Sequence, residues 1–382
     1  MPRCRISRRA FLKASGAMSA VAVLRSAFAG SPSSESKATP ASQGWHMPAE
    51  WAKHTRCWMV WPARKDIWDI YGKPLERVRQ DIAAVARAIS QFEPVVIAVR
   101  PDQRAEAQRL CGSDIGFFEV MVDDLWVRDT GPSFLVSPQN GLAGSSWNYN
   151  GWGNKPEAGK THEGDSNVAG EILRHLGVPQ FKAPIVCEGG ALEVDGDGTL
   201  ICTETSILNA NRNPGMSKQA ATEILQGWLG VQKVIWLSDA SPDSGTDGHI
   251  DGYLKFVRPG VVLFELSDDP HEPDYQSVRQ MLKVVEGQTD ARGRKLEVIK
   301  LYRPTTHAFM NDPFFCNNYV NFYLANGGIV APKYGDPKGD ERAYRTLVEA
   351  YPDRKVVQVR VDTLNGGGGS VHCATQQEPL AS

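Results

Sequence analysis

Five stretches of the chain repeat apolar residues at steps of three and four, near residues 76–92, 166–176, 217–229, 275–286 and 340–351. In the first, Val78, Ile82, Val85 and Ile89 make the stripe of a helix lying on a core. Arg79 and Arg87 fall off that stripe, towards solvent. Between the helical patterns lie short runs rich in β-formers, at 95–99, 117–122, 192–194, 199–202, 234–237, 253–257, 261–266, 296–301, 319–324 and 356–361. Val194-Asp195-Gly196-Asp197-Gly198-Thr199 reads as a hairpin turn, since the downstream acids of a calcium loop are missing. Helices spaced about 50 to 90 residues apart suggest a structural repeat. An open doubly wound sheet gives the same alternation, so spacing alone leaves both architectures standing.

The N-terminus breaks this pattern. Arg3, Arg5, Arg8, Arg9, Lys13 and Arg25 occur there without an acid, followed by a small and apolar run from Ala14 to Leu24 and by Ala27-Phe28-Ala29. That is the layout of a cleaved export signal over residues 1–29, and Ser7-Arg8-Arg9-Ala10-Phe11-Leu12-Lys13 resembles the twin-arginine type. Residues 30–44 read as a disordered spacer and 45–382 as a single domain, placed in the periplasm or outside the cell. The apolar run is shorter than the roughly 20 residues a membrane-spanning helix needs, and no later segment is long and apolar enough.

The chain has 382 residues, of which 41% are hydrophobic and 23% charged, enough apolar material for a full core. Loss of the signal leaves 36 basic residues against 44 acids, about −8, which argues against nucleic acid as a partner and favours a cationic ligand. The seven cysteines form no Cys-x-x-Cys pair, so a zinc or thioredoxin-type site is not expected. Folding before export favours reduced thiols. A homo-oligomer is compatible with the chain.

Candidate chemistry gathers at Leu364–Pro379, where Gly366, Gly367, Gly368 and Gly369 lead to His372 and Cys373. Glycine is costly to order, and it lets backbone pass flush against a ligand. A flexible linker ending in a buried cysteine is the plainer alternative. Gly248-His249-Ile250-Asp251-Gly252 opens an apparent strand, which would put His249 and Asp251 on one face as an acid–base pair, a cation site or a metal site. Asp124-Leu125-Trp126-Val127-Arg128-Asp129 joins Trp, Arg and carboxylate, either as an Arg–Asp salt bridge beside a buried Trp or as a ligand site. Glu188 leaves an apolar strand before Gly189-Gly190, a costly burial unless it is paired. Trp152 sits in an aromatic, glycine-rich loop at 148–155, while Trp51, Trp58 and Trp61 look like core. One thiol, one imidazole and three acids suit chemistry on a flat, cationic carbon. Carboxylates fork onto a guanidinium, a thiolate attacks its carbon, and His moves protons.

Jointly, MPAEW at 47–51, WVRDTGP at 126–132, NGWG at 150–153, EGG at 188–190, LNANRNPG at 208–215, GHID at 248–251 and NGGGGSVHCATQQ at 365–377 resemble the agmatine deiminase and Porphyromonas-type peptidyl-arginine deiminase family. The resemblance covers about Met47 to Pro379. It implies an α/β pentein fold, five ββαβ units about a pseudo-fivefold axis. It also implies Cys373 as nucleophile, His249 as general acid/base, Asp129 and Asp251 on the guanidinium, and Glu188 holding His249. Trp126, Trp152, Gly368 and Gly369 would line the substrate. The implied reaction runs through a covalent amidino-thioether on agmatine, releasing ammonia and N-carbamoylputrescine, with no metal or organic cofactor. Arginine peptides are the alternative substrate, and a non-catalytic binder of cationic amines would keep the acids without needing Cys373. Two positions depart from the family pattern as it bears on the substrate's amine end. A Ser-Ile-His segment after EGG is here Ala191-Leu192-Glu193, and a Cys before the Asn-Arg-Asn motif is here Ser206.

Overall fold

The computed structural model describes residues 38–238, 245–306, 308 and 311–381. The expected export signal lies outside them. Residues 38–44, assigned from sequence to a spacer, instead form a 3-10 turn at Ala41–Gln43, closed by Gly44 and leading into the buried Trp45.

Among the described residues, sixteen strands fall into five small sheets. β4 (Ser133–Ser137), β5 (Gly141–Ser146) and β6 (Gln180–Lys182) form one, and β7 (Glu193–Val194), β8 (Thr199–Thr203) and β9 (Lys233–Leu237) form the next. β10 (Leu254–Arg258), β11 (Val261–Leu266) and β12 (Glu297–Tyr302) follow, then β13 (Tyr323–Ala325), β14 (Gly328–Lys333) and β15 (Lys355–Arg360). In each, the first two strands pair antiparallel and the third joins in parallel. A parallel neighbour needs a crossover, and a helix supplies it each time: Glu163–Leu176, Lys218–Leu229, Tyr275–Glu286 and Pro337–Ala350. The fifth sheet joins the two ends of the folded chain. β16 (Gln376–Pro379) pairs antiparallel with β1 (His54–Val60), and β1 pairs parallel with β2 (Val95–Val99) across the helix Leu75–Ile89; β3 (Gly116–Glu119) adds an edge. These five ββαβ units are the pentein α/β propeller, with all five helical patterns in place.

Within Leu75–Ile89 the predicted stripe is buried and packs with Val95, Ile97 and Val99. Arg79, read as solvent-facing, is buried instead. Its guanidinium donates to Pro62 O at 3.1 Å and pairs with Glu106 at 2.6 Å, so its stem covers apolar surface while its head stays satisfied. Arg87 is exposed as expected. The hairpin at Val194–Thr199 is present, tied by the Asp195 carboxylate accepting from the Asp197 and Thr199 N–H groups. Cys57, Cys111, Cys187, Cys202, Cys316 and Cys373 are free thiols.

Several strands are shorter than their composition suggests, two of them for visible reasons. The Tyr319 and Val320 N–H groups donate to the buried Glu265 carboxylate at 3.0 Å each, so that segment meets a side chain and β13 begins at Tyr323. Around 248–252 the backbone forms a 3-10 turn at Ile250–Gly252, with Gly248 at φ +86°, and β10 starts only at Leu254. His249 and Asp251 therefore do not alternate along a strand. They stand on a turn.

Candidate active site

Each unit reaches its first strand through a short connecting segment; four of these segments line one cavity, and the fifth, carrying Glu188, backs His249. Asp129 lies in the short helix Val127–Thr130 ahead of β4, and Glu188 precedes β7. His249 and Asp251 precede β10, Asn321 precedes β13, and Cys373 precedes β16. Residues more than 240 positions apart thus become neighbours because the same place in a repeated motif faces the same centre.

Packing at this centre leaves no room for side chains on Gly190, Gly367 and Gly369. A Cβ on Gly190 would stand 2.7 Å from His249 Nδ1 and 2.8 Å from Asp129 Oδ1. A Cβ on Gly369 would meet the Trp126 ring at 2.5 Å, and Gly368 sits at φ +88°. The glycine run is a tightly packed wall of the cavity, not a flexible linker.

Cys373 Sγ accepts from Asn321 Nδ2 at 3.2 Å and lies 3.6 Å from Asp251 Oδ2. His249 Nε2 lies 3.2 Å from Glu188 Oε2, and its Nδ1 lies 3.6 Å from Asp129 Oδ1. Asp129 also accepts from Trp152 Nε1 at 2.9 Å and from Gly190 N at 3.0 Å. Trp152 holds that bond from a left-handed backbone, φ 52°, a conformation costing a non-glycine residue about 1–2 kcal/mol. The Arg128–Asp129 salt bridge weighed from sequence does not form, because Arg128 pairs with Glu50 at 3.0 Å.

A second, deeper layer holds these groups. Glu50, from MPAEW, receives Lys255 Nζ at 2.5 Å and faces His372 Nε2 at 2.7 Å. The other nitrogen of His372 faces Asp251 Oδ2 at 2.8 Å. Arg212, from LNANRNPG, pairs with Glu188 at 2.9 Å and with Asp247. Sequence reasoning passed over Glu50, Arg212, Asn321 and Lys255 as site residues and gave His372 no task. Glu50 and Arg212 lay within quoted motifs, whereas nothing local marks Asn321 or Lys255.

Charge balance in the empty cavity divides the acids. Burial would raise Glu188, but the hydrogen bond from His249 and the charge of Arg212 outweigh it and hold Glu188 low. Asp251 is likewise lowered against its burial, chiefly by His372. Asp129 is raised, because burial, Asp251 and Glu188 outweigh the attraction of His249. The Cys373 thiol is raised well above its ordinary value by burial, then by Asp251 and Asp129. His249 is raised although burial pulls it down, because Asp129 and Glu188 surround it.

The cavity has a volume of about 510 Å³. Asp129, His249, Asp251 and Cys373 line it, together with Trp126, Trp152, Gly368 and Gly369. Glu188 is not among its walls and stands behind His249, 1% exposed. Eight of the nine residues singled out from sequence therefore face the cavity, and the ninth orients one that does.

The profile of the Porphyromonas-type peptidyl-arginine deiminase family matches residues 46–379, almost the whole described chain. The chain belongs to this family. An agmatine deiminase of Pseudomonas fluorescens (strain SBW25) is 40% identical over 362 residues, covering 89% of this chain and 97% of that protein. The agmatine deiminase of Stutzerimonas stutzeri (strain A1501) is equally similar, 40% over 362 residues with the same coverage. Among solved structures, the agmatine deiminase of Enterococcus faecalis superposes with a TM-score of 0.85 at 33% identity, covering 90% of this chain and 98% of that one. Against the family pattern, the two departures lie away from the cavity. Glu193 is buried, accepting from Phe256 N at 2.8 Å, and Ser206 bonds the Thr203 hydroxyl at 2.7 Å. Neither position lines the cavity.

Proposed function

We propose that the protein is an agmatine deiminase that converts agmatine and water to N-carbamoylputrescine and ammonia. The observation that carries this reading is the convergence of Cys373, His249, Asp129 and Asp251 on one cavity, with two carboxylates beside the thiol. A guanidinium brings a positive charge to that pair of acids. Bound between Asp129 and Asp251, it offsets the two carboxylates that hold the Cys373 thiol up, so the substrate itself favours the thiolate. Sulfur then bonds to the central carbon. The C–N bond to a terminal nitrogen breaks, and His249, held by Glu188, gives that nitrogen a proton as it leaves as ammonia. Neutral His249 next takes a proton from water as its oxygen bonds to the same carbon. The C–S bond breaks, Cys373 regains its electron pair, and the ureido product departs.

Asn321 and His372 act on the nucleophile and on Asp251 by position. The deeper ion pairs keep the acids from collapsing onto one another. Agmatine, rather than an arginine peptide, follows the agmatine deiminase names of the similar proteins and structures. Incubating the purified mature protein with agmatine, arginine and an arginine peptide, and measuring ammonia and ureido product, tests the assignment. Turnover of agmatine is expected to lead by at least about tenfold in kcat/KM, roughly the discrimination a single pocket contact provides. Preference for the peptide would overturn it.

Residues 1–29 support an exported enzyme. Secretion of a protein starting near residue 30, lost when Arg8 and Arg9 both become Lys, is the expected result. Full-length protein in the cytoplasm would count against it.

A further inference from the structure

We infer that Glu157 receives the distal amine of the substrate and sets the preference for a diamine-like guanidine; this rests on the agmatine assignment above. Glu157 lies in the 3-10 turn Pro156–Ala158, next to the turn that carries Trp152, and lines the same cavity as Cys373. Its Oε2 is buried yet accepts no hydrogen bond, and no ion pair reaches its carboxylate among the described residues. A buried carboxylate oxygen without a partner costs free energy unless a ligand completes it.

The other charged groups on the cavity wall are occupied. Asp274 and Arg303 hold each other through two bonds of 2.7 and 2.9 Å. Asp251 is bound by His372, and Asp129 by Trp152 and Gly190. Glu157 is left as the acid aimed at something that arrives. The same cavity is walled by the apolar faces of Tyr71, Trp126 and Phe314, with Tyr71 and Phe314 edge-to-face at 5.2 Å. Apolar walls, with Asp129 and Asp251 beside the thiol and Glu157 elsewhere on the lining, suit a polymethylene chain with a cation at each end. The same geometry repels an α-carboxylate, because Arg303, the cation on this wall, is already paired with Asp274.

The test compares agmatine with n-butylguanidine, which has the same chain without the amine. In Glu157→Gln, KM for agmatine should rise about 10- to 100-fold, the loss of one charge-assisted contact, with kcat within about threefold. Butylguanidine kcat/KM should stay within about twofold of wild type. Glu157→Asp should recover part of the agmatine loss, and circular dichroism should report the native fold in both variants. An unchanged agmatine KM, or equal losses on both substrates, overturns the assignment of Glu157 and leaves the deiminase reading intact. A wild-type protein that releases ammonia from butylguanidine but not from agmatine overturns both.

Discussion

On the floor of the cavity, charged groups come in closed sets: Glu188 with His249 and Arg212, Asp251 with His372, and Glu50 with Arg128, Lys255 and His372. On the outer wall stand aromatic faces and Glu157, whose Oε2 meets no partner among the described residues. The floor is expensive to assemble, because buried charges must all find partners at good geometry. It is then rigid, and it presents the same constellation to any guanidinium. The wall is cheap to vary, since a turn such as Pro156–Ala158 can change without unpairing anything beneath it. Chemistry and selection are thereby separated within one cavity.

The sharpest way to break this division is at the thiol. Cys373→Ala should remove at least about 10⁴-fold of kcat, since a lost nucleophile has no substitute, while the unfolding midpoint barely moves. Residual turnover within tenfold of wild type would abolish the covalent route. Next comes the layer beneath. Glu50→Ala leaves Lys255, 0% exposed, and Arg128 without their shared anion, and should cost about 3–5 kcal/mol in denaturant unfolding. A loss below 1 kcal/mol would mean that the floor is not held by these pairs. Asp129→Asn is gentler. Its amide keeps the shape but not the charge, so kcat/KM for any guanidine should fall about 10- to 100-fold, principally through binding.

The smallest effect concerns pH. Because burial, Asp251 and Asp129 raise the Cys373 thiol, less of it is thiolate at neutral pH than for an ordinary cysteine near 8.5. Alkylation of Cys373 by iodoacetamide, followed by peptide mass mapping, should therefore be slow at pH 7 and keep climbing past pH 9. A saturating guanidinium that does not react should lower the pH at which the Cys373 thiol ionises, because it offsets Asp251 and Asp129. A plateau below pH 7 in the empty enzyme would show the thiolate stabilised without substrate, and the floor would no longer need the incoming charge.

The five amphipathic helices could be read from the chain because a 3.6-residue stripe is a local property, and all five bind their sheets along that stripe. Motif chemistry was local too: Cys373, Asp129 and Glu188 stood out through the glycines and aromatics beside them. Closure of the fifth unit was not legible, since β16 spells Gln-Gln-Glu-Pro. Those polar side chains are stable in a buried strand only because Arg128 reaches Gln377 at 2.9 Å and Trp58 reaches Glu378 at 2.7 Å. β5, Gly-Leu-Ala-Gly-Ser-Ser, was equally hidden, because its small residues give no strand pattern and Gly144 is required by the approach of Leu173. The turn at His249 was mistaken for a strand, as alternation of His and Asp looks the same in both until Gly248 takes a positive φ. Local composition thus decided which residues could do chemistry and which helices would form. Which of them meet was decided by closing five repeats into a ring, since partners such as Asn321 and Lys255 acquire a task only from groups distant in the chain.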